Sequence, residues 1–426
     1  MQSATKNISG WGNYPVVKAT VWRPDTVDEL IALVKNTPSI LARGRGRSYG
    51  DSSLHHTVAD ITGLHKILNE GEDWIEVEAG ITIEVLLQHI VPKKKFLPVT
   101  PGIKSITIGG AIASDVHGKN HCHAGSFFNT VQSLKLIADG GELLSCSRDQ
   151  NRQLFLESFG SMGLTGIIAS ATISLIAIET TGVKEEQWFA GSFKELLQLM
   201  EAHKAAPYMA AWLDLLNKDV CGIVKTAGWV PEQKITDRTG PVVVTVGFMK
   251  SVPIRFPFAL PAFAFKWFNR NYFSKAKKTP TRMVHYNDFF YPLDRIRNWN
   301  NLYGPNGMLQ YHFQLPHVIA ERGMLQVIEK IRQSKATCTL AVVKLFGKGN
   351  AETLYSFPQE GYNMALDFVH NKYAVSLIAE MDAIIKALGG SIYKTKDALS
   401  SIPQPVPNTT NFKSLQNTRY ATQTIS

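Results

Sequence analysis

The spacing of apolar residues predicts alternating strands and helices in the first part of the chain. Residues 16–22 form a strand pattern, and Thr26 to Glu29 form a capping box ahead of apolar residues at helical spacing. A second helix is predicted at residues 82–90. Gly140 and Gly141 mark the turn of a hairpin, because a strand pattern stands on each side of them. Further strands are predicted at residues 39–42, 74–78, 131–138, 143–145 and 166–175.

The pattern changes after about Glu179, where glycine becomes less frequent. A new helix is predicted at residues 193–203, and a longer one at residues 372–388 ends at the pair Gly389-Gly390. These elements predict an α+β protein. We divide it into a first domain, a second domain, a short C-terminal segment and a proline-containing tail that we expect to be poorly ordered, with bounds of 1–178, 179–388, 389–400 and 401–426.

Composition places the chain among ordinary globular proteins. It has 426 residues, of which 44% are hydrophobic, so it can form two cores. The four cysteines lack CxxC spacing, which argues against a disulfide framework and a thiolate zinc site. We find neither a secretory signal nor an apolar run long enough to span a bilayer, and we therefore expect a cytoplasmic protein.

The net charge of +10 is concentrated in one region. Residues 241–287 contain no Asp or Glu, and residues 252–268 place aromatic side chains between prolines. A solvated surface flap explains this pattern as well as an interfacial anchor does. We predict that residues 252–282 dock on an anionic membrane, at the inner face of the cell membrane, and we expect no nucleic-acid partner. The basic residues are Lys250, Arg255, Lys266, Arg270, Lys275, Lys277, Lys278 and Arg282.

Two glycine-dense loops carry the candidate chemistry, at residues 44–50 and 101–120. Glycine allows consecutive backbone N–H groups to approach the oxygens of a pyrophosphate, which is how proteins hold dinucleotide cofactors. The first loop matches neither the Rossmann nor the Walker pattern, because Gly44 and Gly46 are followed by Gly50 rather than by a glycine three residues on. Taken alone, each loop is better explained as a structural turn.

Longer motifs change this balance. The segments 44–51, 97–120 and 163–168, together with Tyr393-Lys-Thr-Lys-Asp397, resemble the PCMH-type FAD-binding proteins of the vanillyl-alcohol-oxidase superfamily. Within that superfamily the resemblance is to oxidases of polyprenyl-phosphoryl pentoses, and it spans most of residues 10–400. It implies a PCMH-type FAD-binding domain of two subdomains, followed by an α+β substrate domain with an antiparallel sheet. It also implies that residues 389–400 return to the flavin.

The resemblance assigns cofactor contacts residue by residue. Many relatives attach FAD through a His whose position here is Arg47, so FAD is expected to bind without a covalent link. The expected contacts are Ala42, Arg43, Gly44, Arg45, Gly46, Arg47, Ser48, Tyr49, Gly50, Asp51, Ser52, Gly102, Thr107, Ile108, Gly109, Gly110, His117, Gly118, Lys119, Asn120, Ile168 and Tyr393.

On the substrate side the resemblance implies Tyr49, Lys119, Gln310, His312, Lys344 and Asn363. Lys396 is the candidate for orienting the substrate hydroxyl, and His117 for shaping the hydride-transfer site at flavin N5. Acceptance of the hydroxyl proton stays open between His117, Lys396 and water. Lys394 is expected to be an ordinary solvated lysine. Gln310 and His312 alternate with Tyr311 and should share one face of a strand.

The histidines and Cys122 allow a second interpretation, and two features of the chain differ from the relatives. His117, His121, Cys122 and His123 imitate a metal cluster, but a single glycine-rich loop is a poor scaffold for a tetrahedral site, so no metal is expected. Ala365 stands where the relatives carry a cysteine, and the C-terminal tail only faintly resembles theirs.

The implied function is FAD-dependent oxidation of a secondary alcohol on a sugar, giving a 2′-keto product for a partner reductase. The alternatives are an aldonolactone or alditol oxidase acting on a free sugar, and a catalytically silent membrane-associated subunit.

Overall fold

The structure is a computed structural model and describes residues 1–217, 220–232, 250–252, 254–407 and 411–424. Its first sheet has the strand order β1-β2-β4-β3, in which β1 is antiparallel to β2 and the other neighbours are parallel. Helix α1 follows β2, and Thr26 Oγ1 accepts a hydrogen bond from Glu29 N at 3.2 Å, as the capping pattern predicts. The elements are β1 (Gln2–Ser9), β2 (Val16–Arg23), α1 (Val27–Lys35), β3 (Leu41–Arg43) and β4 (Thr57–Asp60).

A second, antiparallel sheet has the order β5-β6-β10-β8-β9 among the described strands. The predicted hairpin is present as β8 and β9, and the apolar run at residues 166–175 forms the buried central strand β10. The elements of this part are β5 (Ile67–Glu70), β6 (Trp74–Glu78), α2 (Ile83–Ile90), β7 (Lys95–Phe96), α3 (Ile108–Ala113), α4 (His121–Ala124), β8 (Val131–Ile137), β9 (Leu143–Ser147), α5 (Arg152–Glu157), β10 (Ile167–Ser174) and β11 (Ile176–Ala177).

A larger antiparallel sheet follows, with the order β16-β12-β14-β13-β19-β20-β18-β21 in the described part of the chain. This confirms the α+β class. The elements are β12 (Gly182–Ala190), α6 (Phe193–Ala202), β13 (Tyr208–Asp214), β14 (Cys221–Trp229), β15 (Lys250–Ser251), α7 (Ala262–Lys278), β16 (Thr281–His285), α8 (Tyr286–Phe290), β17 (Ile296–Arg297), β18 (Met308–Leu315), α9 (His317–Gln333), β19 (Cys338–Phe346), β20 (Gly361–Val369), α10 (Lys372–Ala387) and β21 (Ser391–Ile392).

The two faces of the large sheet differ in chemistry. Alternate residues of β18, including Tyr311 and Phe313, pack with residues of helices α9 and α10 in one hydrophobic core. Because side chains alternate across a strand, the residues between them point to the opposite face. That face carries Gln310 and His312, as the sequence pattern predicts, and β19 and β20 add further polar residues to it. These are Lys344, Asn363 and Asp367.

The prediction of a poorly ordered tail is wrong for most of the described residues after 410. Residues Leu415–Thr424 form helix α11, and Phe412 and Tyr420 are buried. Ile40 N donates to Asn411 O at 2.9 Å, so the tail pairs with the edge of the first domain. Polar composition suggested disorder, but the tail gains its order from partners that are distant in sequence. Residues 408–410 and 425–426 lie outside the described part.

Candidate active site

The first glycine-rich loop lies between the N-terminus of α3 and the C-terminal segment. A Cβ added to Gly44 would lie 2.2 Å from Thr107 Oγ1, and one added to Gly50 would lie 1.8 Å from the carbonyl oxygen of Asp397. Both positions therefore require glycine for close approach of the backbone. Arg47 Nε donates to Ser105 Oγ at 3.0 Å, which ties the two predicted cofactor loops together.

Backbone hydrogen bonds connect several other predicted cofactor residues to these two loops. Gly109 N donates to Ala79 O at 2.8 Å, and Ala79 N donates to Ala169 O at 2.8 Å, which links α3 to the strand that carries Ile168. Tyr49 N donates to Thr395 O at 2.9 Å. The structure thus brings residues 42–52, 107–110, 168 and 393 to one region. Arg45, within this region, and Gly102 are both exposed to solvent.

His117 is the centre of an aromatic cluster between the two domains. Its ring centroid lies 5.5 Å from that of His312, 4.8 Å from that of Phe346 and 5.2 Å from that of Tyr393. His312 Nε2 lies 2.9 Å from Asn363 Oδ1, and Asn363 Nδ2 donates to Lys344 O at 3.1 Å. Three predicted substrate-side residues, His312, Asn363 and Lys344, are therefore neighbours, and the His117 ring lies against that of His312. Phe346 and Phe357 belong to this cluster but were not predicted from the sequence, because nothing in the pattern separates them from core residues.

A second cluster surrounds Lys396. Its Nζ lies 3.9 Å from the centroid of the Tyr49 ring, which is a cation–π arrangement. Gln310 Nε2 donates to Asp367 Oδ1, and the Oδ2 of this buried carboxylate has no hydrogen-bond partner among the described residues. Asp367 was missed in the sequence, although it lies four residues after Asn363 and two after Ala365 on the same face of the strand.

The side chain of Lys119 packs against helix α8 and belongs to neither cluster. Its Nζ donates to Phe289 O and lies 4.1 Å from the centroid of the Phe289 ring. Its backbone oxygen accepts from Met209 N at 2.7 Å, so the loop around Lys119 is anchored to the large sheet. The side chain could serve a ligand only by leaving these contacts.

The electrostatics of the site are dominated by burial of positive charge. Burial lowers the pKa of Lys396 to about 7 and that of Lys344 to about 8. Asp367 opposes the shift at Lys396, and Lys344 adds to it. Burial, followed by the charge of Lys344, lowers the pKa of His117 well below its ordinary value, so His117 is neutral near pH 7. The site therefore carries cationic groups whose charge is only partly balanced.

Burial also shifts the pKa values of Asp367 and His312, in each case toward the neutral form. Burial raises the pKa of Asp367 to about 6, and the hydrogen bond from Gln310 offsets part of this effect. Burial lowers the pKa of His312 to about 3, although Asn363 acts in the opposite direction. Asp367 is thus mostly ionised at pH 7, and His312 is neutral.

The prediction that Lys394 is a solvated lysine is wrong. The side chain is 4% exposed, its Nζ donates to Pro405 O at 3.0 Å, and burial lowers its pKa to about 7. A lysine close to a chain turn is solvated in most proteins, but here Pro405 and Gln416 of the tail contact it. The sequence gives no local signal for this contact because the cover comes from the tail.

Two buried polar atoms at the site indicate whether its residues fit a cofactor. The buried Nδ1 atoms of His117 and His312 have no hydrogen-bond partner among the described residues. Unpaired buried polar atoms are costly, so their concentration at one place indicates a ligand with polar groups. The clustered glycines and the partly buried lysines suit an anionic dinucleotide with a flavin ring, and the residues present therefore fit FAD. In the described part of the chain, no cluster of three His, Cys, Asp or Glu side chains could hold a metal ion.

Comparison with known proteins identifies the family. Residues 19–147 match the family described as FAD binding domain. The chain is 30% identical to decaprenylphosphoryl-β-D-ribose oxidase of Mycolicibacterium smegmatis, over 93% of the chain and 90% of that protein. It is 26% identical to D-arabinono-1,4-lactone oxidase of Debaryomyces hansenii over 39% of the chain and 33% of that protein.

L-gulono-1,4-lactone dehydrogenase of Mycobacterium tuberculosis is 25% identical over 40% of the chain and 41% of that protein. Both lactone-oxidising relatives thus match less than half of the chain, whereas the match to the ribose oxidase extends over both domains. The chain therefore belongs to the decaprenylphosphoryl-β-D-ribose oxidase family of FAD-dependent oxidoreductases.

Proposed function

We propose that the protein oxidises a secondary alcohol of a polyprenyl-phosphoryl pentose to the 2′-keto form, which a partner reductase then consumes. The proposal rests on the proximity of the polar face of the large sheet to the two candidate catalytic residues. The polar face of the large sheet, with Gln310, His312 and Asn363, lies opposite His117 and beside Lys396. Support for the substrate class comes from the relative that matches 93% of the chain, whose name states a decaprenylphosphoryl ribose.

The chemistry divides between the cofactor and the chain. FAD, when bound, would supply the acceptor for the hydride of the carbinol carbon. The chain has to hold the sugar hydroxyl, remove its proton and exclude water. Lys396 suits the proton transfer best, because a pKa of about 7 leaves a large neutral fraction at neutral pH. His117 is a much weaker base and shapes the wall of the site, in contact with Phe346 and Tyr393.

After accepting the proton, Lys396 becomes an ammonium group in a site where negative charge accumulates during oxidation. Asp367 stabilises that ammonium electrostatically. Gln310 and Asn363 offer amide groups to sugar hydroxyls. Lys344 has no carboxylate partner among the described ion pairs, and it is the candidate for the phosphate group of the substrate.

The alternative is an oxidase of free aldonolactones or alditols, which the partial similarity to lactone oxidases favours. The test is anaerobic bleaching of the bound flavin with a polyprenyl-phosphoryl pentose, the same pentose without the lipid, an alditol and an aldonolactone. We expect fast bleaching with the lipid-linked pentose alone. Faster bleaching by a lactone or an alditol would replace the proposal with the alternative, and no bleaching by any of them would favour a catalytically silent subunit.

We also propose that FAD is bound without a covalent link. Arg47 occupies the position of the linking residue, and its guanidinium lies 4.3 Å from the Trp11 ring centroid while Nε bonds Ser105. A guanidinium cannot form the linkage found in relatives. Acid precipitation should therefore release all of the flavin into the supernatant, measured by absorbance. Flavin that stays with the precipitated chain after washing would contradict the proposal.

A further proposal is that residues 252–282 dock on an anionic membrane; Pro253 lies outside the described residues. Helix α7 exposes Phe263 by 73%, Trp267 by 70% and Phe268 by 58%. Lys275, Lys277 and Lys278 follow in its last turn. Aromatic side chains beside a cationic cluster are typical of interfacial helices. No helix in the described part of the chain is long and apolar enough to cross a membrane.

Arg282 contributes less than its position suggests, because it pairs with the buried Glu185 at 2.8 Å. The three lysines of α7 are the better target. Each contributes about 1 kcal/mol near an anionic leaflet. Changing all three to Ser should therefore weaken binding to phosphatidylserine vesicles by about a hundredfold, as measured by co-sedimentation at low salt. The control changes Lys18, Lys66 and Lys194, which are exposed and lie outside this segment, to Ser. Equal loss in both variants would show that only net charge matters.

A further inference from the structure

The C-terminal helix α11 contacts both elements on which the proposed chemistry depends. Arg419 Nε donates to Asp51 Oδ2 at 3.0 Å and Nη2 donates to Asp51 Oδ1 at 3.2 Å. Nη2 also donates to Asp397 Oδ2 at 2.8 Å. Asp51 belongs to the predicted FAD loop, and Asp397 follows Lys396 directly. A single guanidinium therefore connects the cofactor loop with the segment that carries the proposed base.

Neighbouring side chains of the helix reinforce the same connection. Gln416 Nε2 donates to the backbone oxygens of Lys394 at 2.8 Å and Asp397 at 3.3 Å. The Tyr420 hydroxyl donates to Asp397 Oδ2 at 2.6 Å, and Arg419 Nη1 donates to Ser400 O at 2.6 Å. The turn from residue 394 to residue 400 is thus held at its backbone on one side by α11.

The other side of this turn rests on the FAD loop. Tyr49 N donates to Thr395 O, and Gly50 packs against the carbonyl of Asp397. Lys396 then lies with its ammonium group over the Tyr49 ring. Because the turn is fixed from both sides, the position of Lys396 relative to Tyr49 depends on contacts outside the site itself.

Arg419 balances the negative charge of two buried carboxylates, so we expect its replacement to destabilise this part of the structure. The side chains of Asp51 and Asp397 are 6% and 3% exposed, and Arg419 is their shared ion-pair partner. Removing the guanidinium would leave two buried carboxylates facing each other without a cation between them, which is costly in a low-dielectric environment. The turn and the loop would separate to admit water, and Lys396 would move with the turn.

We propose that Arg419 is a positioning residue, which fixes Lys396 and the FAD loop in one geometry by bridging Asp397 to Asp51. This rests on the proposed roles of Lys396 and of residues 42–52, but not on the identity of the sugar. We call residues 411–421 of the C-terminal tail the clasp. On this proposal the clasp completes the flavin site, although the tail looks dispensable in the sequence.

The test uses the full-length holoenzyme and measures local hydrogen exchange by mass spectrometry, without any sugar. In Arg419→Met, peptides that cover residues 48–54 and 393–400 should exchange about tenfold faster or more, because charge-assisted hydrogen bonds are lost at both segments. Peptides from β18 and β20 should keep their wild-type rates. Lys413→Ala is the matched control, because it removes an exposed cation from the same tail, and it should change neither segment.

Two readouts separate positioning from general stabilisation. The visible absorption spectrum of the bound FAD should change in Arg419→Met, because Lys396 moves relative to the flavin. Arg419→Lys should restore slow exchange at only one of the two segments, since an ammonium group lacks the fork that reaches both carboxylates. If Arg419→Met does not fold, Gln416→Met is the second variant. It removes the side-chain amide that donates to the backbone oxygens of Lys394 and Asp397, so faster exchange is expected at residues 393–400 alone.

The proposal is overturned if both segments of Arg419→Met exchange as in the wild type with an unchanged flavin spectrum. It is also overturned if exchange rises equally throughout the chain, since Arg419 would then be a general stabilising residue. Neither result depends on the bleaching experiment. A wrong substrate would leave the clasp intact, and an unclasped tail would leave the substrate assignment unaffected.

Discussion

Asp367 shifts the pH dependence of the reaction if Lys396 accepts the hydroxyl proton. The pKa of Lys396 is lowered to about 7 by burial, and Asp367 opposes this shift by favouring the ammonium form. The neutral, proton-accepting form therefore predominates above pH 7. We expect the rate of flavin reduction in the wild type to rise with pH, with a midpoint near pH 7.

Replacing the carboxylate in Asp367→Asn should move this midpoint downward. The amide oxygen of asparagine can still accept the hydrogen bond that Gln310 donates, so mainly the charge changes. At an effective dielectric constant of about 20, opposite charges that are near each other without forming a salt bridge attract by about 1–2 kcal/mol. One pH unit corresponds to about 1.4 kcal/mol. The midpoint should therefore fall by about one pH unit, to about pH 6.

The assay is anaerobic stopped-flow reduction of the flavin at saturating substrate between pH 5 and pH 9. Asp115→Asn is the matched control, because Asp115 is also buried with a pKa raised to about 6, and it is not among the groups that shift Lys396. Its midpoint should stay near pH 7. A wild-type rate that falls as the pH rises through 7 would refute the role of Lys396 as base. An unchanged midpoint in Asp367→Asn would refute the electrostatic coupling.

Three further substitutions test the site and its support. Lys396→Met should keep FAD bound but slow flavin reduction by about 10²- to 10³-fold, as loss of a preorganised polar group does, and near-normal stopped-flow rates would exclude Lys396 from the reaction. Gly50→Ala should destabilise the protein by about 1–3 kcal/mol and weaken FAD binding, because its Cβ would meet the Asp397 carbonyl; urea unfolding and fluorescence titration measure both effects. Met324→Ala, in the core behind β18, should cost about 2–5 kcal/mol in urea while the flavin spectrum stays unchanged, and a spectral change would show that the core shapes the site directly.

Local sequence patterns were sufficient where the structure depends on near neighbours. The helix that Thr26 caps, the hairpin around Gly140 and the buried strand at residues 167–174 follow from periodicity and turn residues. Strand alternation also places Gln310 and His312 on one face, opposite Tyr311. The same rule, applied from Asn363, would have found Asp367. The motif resemblance identified the FAD-binding fold, and the family comparison confirms it.

The sequence by itself determined most elements of the first domain, the glycine loops and the family of this protein. Only the tertiary structure decided which charged residues are buried and which partner each of them has. Lys394 looks like a surface lysine until Pro405 covers it, and Arg419 looks like part of a disordered tail until it meets Asp51, 368 positions away. The free energy of a buried charge depends on the groups that surround it in space. Periodicity reports only neighbours along the chain, so it could not reveal the clasp that holds the site together.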